Sequence, residues 1–321
     1  MEPFKYKAED LFEWVTKAGE EFLLLDVRVK EQFDNFKVEG PFLGEMVNVP
    51  YVEFVEHEEE SVAQVPRADK VRIVCAKEGS AKYVGEILLN HGFKDVGYLE
   101  GGIKNWGNML APRLVAADNG YQLYQFIRPG KASCSYGLIC GDEMVVFDPS
   151  RNAEYYQDFA KKHNARIIKT FETHLQADYI SGSQRLHSNT GAQIVGHQDD
   201  FKDAVFEYRG VNDQDVFRFT NEGPEIKAIH TPGHTPGSTS YLIDNKYLVS
   251  GDTVFIYSMG RPDLGGMVEE WSKMLFKTMT EILATLQVPP ETIETLRRGS
   301  REDTRLAITA DGETTYLTCR T

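Results

Sequence analysis

Phe171-Glu172-Thr173-His174-Leu175-Gln176-Ala177-Asp178-Tyr179 follows the β-branched run Ala165-Arg166-Ile167-Ile168-Lys169, and the chain there reads as a strand entering a loop. Two later segments repeat the pattern. Thr231-Pro232-Gly233-His234 follows the apolar run 226–229, and Gly251-Asp252-Thr253 follows Tyr247-Leu248-Val249. Each run gives way to Gly, Pro or polar residues, which places His174, His234 and Asp252 at three strand ends.

Two imidazoles and one carboxylate cover one face of a metal ion and leave the opposite positions open. That facial set suits non-haem Fe(II), one ion per chain, whereas structural zinc takes four protein ligands with nitrogen or sulfur predominating. The donor types also admit zinc, which is the second expectation. His57, His91, His163, His187, His197 and His230 match no such position and are read as structural or surface residues.

The spacing resembles the metallo-β-lactamase superfamily, whose first ligand motif reads His-x-His-x-Asp-His. Here the first His and the Asp are kept, as His174 and Asp178, while the other two histidines have become Gln176 and Tyr179. In the dinuclear hydrolases of that superfamily the replaced positions hold metal together with a last His, and this chain has no His after His234. The remaining set, His174, His234 and Asp252, resembles the single-iron site of the persulfide dioxygenase branch. Asp148-Pro149-Ser150-Arg151, Thr235-Pro236-Gly237-Ser238 and Gly260-Arg261-Pro262-Asp263 extend the likeness.

The resemblance implies an αββα sandwich of two sheets with outer helices, in which Fe(II) is held by those three residues. Asp178 is expected to orient a ligand His or an iron-bound water, with Gln176 and Tyr179 hydrogen-bonding nearby. Arg261 is a candidate to hold a substrate carboxylate bidentately, or to pair with Asp263. The acidic stretch 199–203 reads as a solvated face.

The first half of the chain is organised differently. Phe22-Leu23-Leu24-Leu25-Asp26-Val27-Arg28 and Val71-Arg72-Ile73-Val74 read as buried parallel strands, and 81–90 as an amphipathic helix. Alternating strands and helices predict a small α/β domain. Between strand and helix lies Cys75-Ala76-Lys77-Glu78-Gly79-Ser80, a loop whose backbone N–H groups and following helix N-terminus would form an anion pocket and lower the Cys75 pKa.

These features, with Val47-Asn48-Val49-Pro50 and Tyr98-Leu99-Glu100-Gly101-Gly102-Ile103-Lys104-Asn105-Trp106, resemble a rhodanese domain. The resemblance implies that Cys75 carries sulfane sulfur as a persulfide. Lys77 is the loop's sole cation, so thiosulfate is expected to be a poor donor, and Ala81 stands where the related phosphatases need Arg.

Two domains are the better expectation for 321 residues. We place a rhodanese-like domain at 1–110, a linker at 111–118 and the metallo-β-lactamase-like domain at 119–321, with 287–321 as an atypical tail. The net charge of -14, with no basic stripe, argues against nucleic acid or an anionic membrane as partner. The N-terminus lacks the apolar run of a signal peptide, and a cytoplasmic protein is expected. Cys75, Cys134, Cys140 and Cys319 show no paired spacing, so no disulfide framework is expected.

Joined, the halves suggest one sulfur pathway. Fe(II) would oxidise a low-molecular-weight thiol persulfide, such as glutathione persulfide, with O2 to sulfite. Cys75 would feed sulfane sulfur to that reaction or move it onto sulfite to make thiosulfate. A glyoxalase II-like thioesterase and a degenerate metal domain scaffolding an active rhodanese are the alternatives, and homo-oligomerisation is left open.

Overall fold

A computed structural model describes residues 2–118, 120–130, 133–176, 180–220, 222–255, 258–286 and 315–317. The chain divides into two compact units, Met1–Ala111 with Arg128–Lys131, and Pro112–Ile127 with Ala132–Thr321. No helix among the described residues is long and apolar enough to cross a membrane.

The first unit runs β1 (Phe4–Tyr6), α1 (Ala8–Thr16), β2 (Leu23–Asp26), α2 (Lys30–Asn35), β3 (Met46–Asn48), α3 (Tyr51–Glu56), α4 (Glu58–Gln64), β4 (Lys70–Val74), α5 (Gly79–Asn90), β5 (Asp95–Leu99), α6 (Gly102–Asn108). Its five strands pair in parallel in the order β1-β5-β4-β2-β3. All four residues of β2 are buried, which is why Leu23-Leu24-Leu25 shows no polar alternation: both faces of a parallel sheet are covered. From β4 the chain moves to β5 on one side, and from β2 to β3 on the other. The crevice outside the carboxyl ends of β2 and β4 is therefore a topological switch point, where α/β sheets place their ligands. Asp26 ends β2 and Cys75 follows β4.

The second unit runs β6 (Ala111–Asp118), β7 (Tyr121–Arg128), β8 (Ser133–Cys140), β9 (Glu143–Phe147), α7 (Ala153–Lys162), β10 (Arg166–Phe171), α8 (Ser183–Thr190), β11 (Gln193–His197), α9 (Gln198–Phe201), β12 (Arg209–Val211), β13 (Val216–Phe217), β14 (Ile226–His230), β15 (Thr239–Ile243), β16 (Tyr247–Val249), α10 (Val268–Lys277), β17 (Thr315–Leu317). A π turn at Thr278–Ile282 and a 3-10 turn at Leu283–Thr285 continue α10. Seven strands form one sheet, β12-β11-β10-β9-β8-β7-β6, and five form the other, β13-β14-β15-β16-β17.

Alternate residues fill the space between these sheets. Tyr121, Leu123, Tyr136, Leu138, Val145, Phe147 and Phe171 from the first meet Phe217, Ile226, Ala228, Tyr241, Ile243 and Val249 from the second. The period of two along each strand is the mark of a sandwich core.

Residues 111–118, expected as a linker, are the strand β6. Pro112 misleads because proline marks loops, yet β6 ends the sheet order and an edge strand tolerates a missing N–H. The expectation of no disulfide is also corrected: Cys75 and Cys140 are free thiols, but Cys134 is disulfide-bonded. A single cysteine inside a strand carries no spacing from which such a bond can be read. Of the tail, only Thr315–Leu317 lies among the described residues, pairing in parallel with β16.

Candidate metal centre and loop cysteine

β10 belongs to the larger sheet, and β14 and β16 run in the same direction in the smaller one, each antiparallel to β15. His174, His234 and Asp252 lie just beyond the ends of these three strands, and their ligand atoms all lie within 4.8 Å of one another. Asp252 Oδ2 is 3.9 Å from His174 Nε2 and 3.6 Å from His234 Nε2. Two ligands at bonding distances of about 2.1 Å can stand up to about 4.2 Å apart, so the carboxylate and either imidazole can share one ion. The histidine side chains are buried, at 3% and 6% exposure, whereas Asp252 is 29% exposed and marks the open face.

Hydrogen bonds set both tautomers. Thr173 Oγ1 donates to Asp148 Oδ2 at 2.8 Å, so it accepts from His174 Nδ1–H at 2.9 Å. His234 Nδ1–H donates to the Arg261 carbonyl at 3.1 Å. Each ring thus turns an unprotonated Nε2 toward Asp252, as metal binding requires. Burial, aided by the neighbouring His234, pushes the His174 pKa down to about 3, which keeps its imidazole neutral and able to ligate.

Asp148 anchors the arrangement. Its backbone has φ 48°, a left-handed conformation that Asp adopts more readily than most residues, and its Oδ1 accepts Thr173 N–H at 2.8 Å. Burial raises its pKa, Thr173 opposes, and the charge of Asp252 raises it further. Gly251 makes close approach possible. It has φ 50°, and a Cβ there would stand 2.2 Å from Thr173 Oγ1.

Gln176 donates from Nε2 to Asp148 Oδ1 at 3.2 Å, so its amide braces the anchor of His174. Asp178 and Tyr179 lie outside the described residues. Arg261 forms a bidentate pair with Asp263, at 2.7 and 2.6 Å, on an exposed surface. Its contact with the metal site is its backbone carbonyl.

Asp200, read as part of a solvated face, is instead a brace between both histidine segments. It accepts from Leu175 N at 2.8 Å, Thr235 Oγ1 at 2.6 Å and Gly237 N at 2.7 Å. Sequence reasoning misses it because three neighbouring aspartates look like solubility. His197, Asp199 and His230 also bring ligand atoms within 4.8 Å. The two imidazole rings stack 4.3 Å apart and nearly parallel, so the nitrogen lone pairs run side by side. His197 Nδ1 accepts Asp199 N–H and caps α9, which fits the structural reading given to these histidines.

In the first unit Cys75 is 4% exposed. Burial pushes its thiol pKa up, the backbone N–H groups of Ala81 and Lys77 pull it down, and Asp26 and Glu78 push it up again. The expected lowering is therefore overturned: the loop does direct N–H groups at the sulfur, but desolvation outweighs them. Asp26 is held by Arg28 through both oxygens. Glu78 accepts Gly101 N–H at 2.8 Å and pairs with Lys5 at 3.2 Å. Lys77 is exposed, and its contribution at the sulfur comes from the backbone.

Residues 129–318, more than half of the chain, match the family model of the metallo-beta-lactamase superfamily, and residues 8–109 match that of the rhodanese-like domain. A hydroxyacylglutathione hydrolase of Prochlorococcus marinus is 32% identical over 37% of this chain and 49% of its own length. The mitochondrial persulfide dioxygenase ETHE1 of Homo sapiens is 28% identical over 51% of this chain and 63% of its own. The chain spans about half to three-fifths of these relatives. A metallo-beta-lactamase crystal structure from Staphylococcus aureus aligns with TM-score 0.48 and 29% identity, covering 53% of this chain and 54% of that one. On the match across strands β8 to β16 and the strand ends that carry the ligand cluster, the chain belongs to the metallo-beta-lactamase superfamily, and it carries a rhodanese-like domain ahead of that fold.

Proposed function

We propose that this chain is a persulfide dioxygenase joined to a rhodanese-type sulfurtransferase. The observation that carries the reading is the state of Gln176. It stands where the dinuclear hydrolases place a metal-binding His, and its amide donates to Asp148. Among the described residues around the site, only His174, His234 and Asp252 form the ligand cluster.

Fe(II) held by these three would supply redox chemistry with O2. The chain's own residues do the rest. Asp148 and Thr173 keep the His174 proton on Nδ1, and the Arg261 carbonyl does the same for His234. Asp252, on the open side, leaves room for a substrate sulfur to approach. The balanced reaction takes R–S–SH, O2 and water to R–SH, sulfite and two protons. At Cys75 the thiolate attacks the outer sulfur of a donor persulfide, releasing the donor thiol and leaving a cysteine persulfide that sulfite or another nucleophile then cleaves.

A zinc thioesterase is the second reading, favoured by the hydroxyacylglutathione hydrolase relative. Metal analysis of anaerobically purified protein, paired with O2 consumption on adding glutathione persulfide, separates the two. About one iron per chain with persulfide-dependent O2 uptake is expected. Zinc, no uptake and cleavage of a glutathione thioester would replace the dioxygenase with the hydrolase.

A further inference from the structure

Glu78 stands three residues after Cys75 and directly precedes α5. Its carboxylate is tied at both oxygens: Oε1 accepts Gly101 N–H at 2.8 Å, and Oε2 pairs with Lys5 at 3.2 Å. The turn it grips is the one that holds the cysteine. Ile103 N–H donates to the Cys75 carbonyl at 2.8 Å, and a Cβ on Gly102 would collide with the carbonyl oxygens of Lys77 and Cys75. A fixed carboxylate therefore shares one tight turn with the backbone that carries the sulfur. Gly101 N–H and then Lys5 hold its pKa below the usual carboxylate range, so it is ionised at neutral pH.

The neighbouring cations are engaged elsewhere. Arg28 is buried, donates to both oxygens of Asp26, and also donates to the carbonyls of Gln32 and Phe36. Lys5 is shared between Glu78 and Glu100, at 3.2 and 3.9 Å. Lys77 reaches the sulfur through its backbone N–H, and its side chain is exposed. Asp26 and Glu78 both act on the sulfur against added negative charge. A hydropersulfide or a thiol can enter this place in its neutral form. Thiosulfate keeps two charges at neutral pH and sulfite at least one, and their oxygens would meet the two carboxylates.

We propose that Glu78 is the specificity-determining residue of the Cys75 loop, admitting persulfides and thiols and excluding the sulfur oxyanions thiosulfate and sulfite. The proposal rests on the reading of Cys75 as a sulfur carrier. Sulfur then moves between thiols. The Cys75 thiolate attacks the outer sulfur of R–S–SH, the donor S–S bond breaks, and R–S⁻ leaves. An acceptor thiolate R′–S⁻ next attacks the outer sulfur of the Cys75 persulfide, releasing the Cys75 thiolate and R′–S–SH. The two steps together consume no oxidant or reductant, and their product is a persulfide of the class that the proposed dioxygenase reaction consumes. The first unit thus supplies that reaction instead of trapping the sulfite it makes.

The test follows sulfur loading of Cys75 in the full chain by rapid-quench intact-protein mass spectrometry, with Cys75→Ser as the blank. The donors are N-acetylcysteamine persulfide and thiosulfate; the reverse half-reaction compares N-acetylcysteamine with sulfite as acceptor. Added salt should speed the reactions of both oxyanions, because screening relieves like-charge repulsion, and leave the persulfide and thiol rates comparatively level. Glu78→Gln keeps a carbonyl oxygen for Gly101 N–H and removes the charge. It should raise the thiosulfate-to-persulfide and sulfite-to-thiol rate ratios about tenfold. Unchanged ratios in a folded E78Q protein would take the role away from Glu78. Should that variant fail to fold, the wild-type salt dependence decides: oxyanion rates that stay level or fall with salt sink the proposal and leave Cys75 a sulfur carrier. No sulfur on Cys75 from either donor would end the sulfurtransferase reading, and the proposal with it.

Discussion

A metal-binding imidazole is only as useful as the proton on its other nitrogen, and at His174 that proton is controlled by Thr173. Removing the hydroxyl strands a buried N–H. Thr173→Val should therefore weaken metal binding about 10- to 100-fold, while Thr173→Ser keeps the relay and stays near wild type; competition with a chromophoric chelator measures both. Arg261→Ala gives the contrasting result, unchanged metal affinity, because the contact with His234 is a backbone carbonyl. If that variant loses metal, the role assigned to the carbonyl is wrong. Cys75 makes a pH prediction. Its thiol pKa lies above the ordinary 9.0, so the thiolate is scarce at neutral pH and its population grows as pH rises. Alkylation of Cys75 by iodoacetamide, followed by peptide mass spectrometry, should accelerate about tenfold per pH unit between neutral and mildly alkaline pH, without a plateau. A plateau near neutral pH would mean that the N–H groups of Lys77 and Ala81 outweigh burial. These residues also show where sequence is legible. His174, His234 and Asp252 can be picked out because metal chemistry restricts residue types and strand ends restrict place. Asp200 carries no such restriction: an aspartate that braces two loops reads the same as one that faces water.

Elements are legible wherever burial imposes a pattern. The apolar runs of β2 and β9 stand out because two buried faces remove alternation, and only the start of β7, with Tyr121 and Leu123 buried and Gln122 exposed between them, shows the alternation of one buried face. β6 obeys neither rule. Pro112, Arg113 and Leu114 are exposed in succession, so this edge strand shows no period of two and its proline reads as a loop. The switch point that places Cys75 between β4 and β2 depends on strand order, which no local pattern encodes. Gly102 shows how tightly the elements hold that loop. It has φ 62°, and a Cβ there would stand 2.1 Å from the Lys77 carbonyl oxygen and 2.5 Å from that of Cys75. Gly102→Ala should destabilise the first unit by roughly 1–3 kcal/mol and depress sulfur transfer, as read by calorimetry and a persulfide-transfer assay. Gly79→Ala is the matched control: a Cβ there meets nothing within 4 Å at the start of α5, so stability should hold or rise slightly. Equal damage from both substitutions would show that the loop tolerates no added side chain, for reasons other than the Gly102 contact.

For the whole molecule, the order of the two domains is legible because each carries its own motif set, whereas the disulfide at Cys134 is not, since nothing in the residues around it marks a partner. The proposed division of labour follows from the two motif sets. The candidate metal ligands His174, His234 and Asp252 all lie in the second unit, and the Cys75 loop, with the backbone of Lys77 and Ala81, lies in the first. None of these residues serves both, so each chemistry should be removable alone. Asp252→Ala takes away the single anionic ligand and should abolish metal retention and persulfide-dependent O2 uptake, while Cys75 still accepts and passes sulfane sulfur at the wild-type rate. Cys75→Ser should do the reverse, leaving metal content and O2 uptake with a supplied small-molecule persulfide unchanged. The informative case is a donor that only Cys75 can use. If sulfur must pass through Cys75 before it is oxidised, C75S will consume O2 with glutathione persulfide and fail with that donor, and mixing C75S with D252A protein will restore uptake only if the persulfide can travel between chains. If instead a folded D252A protein loses sulfur transfer as well, the two sites are not separate machines, and the assignment of one reaction to each unit falls.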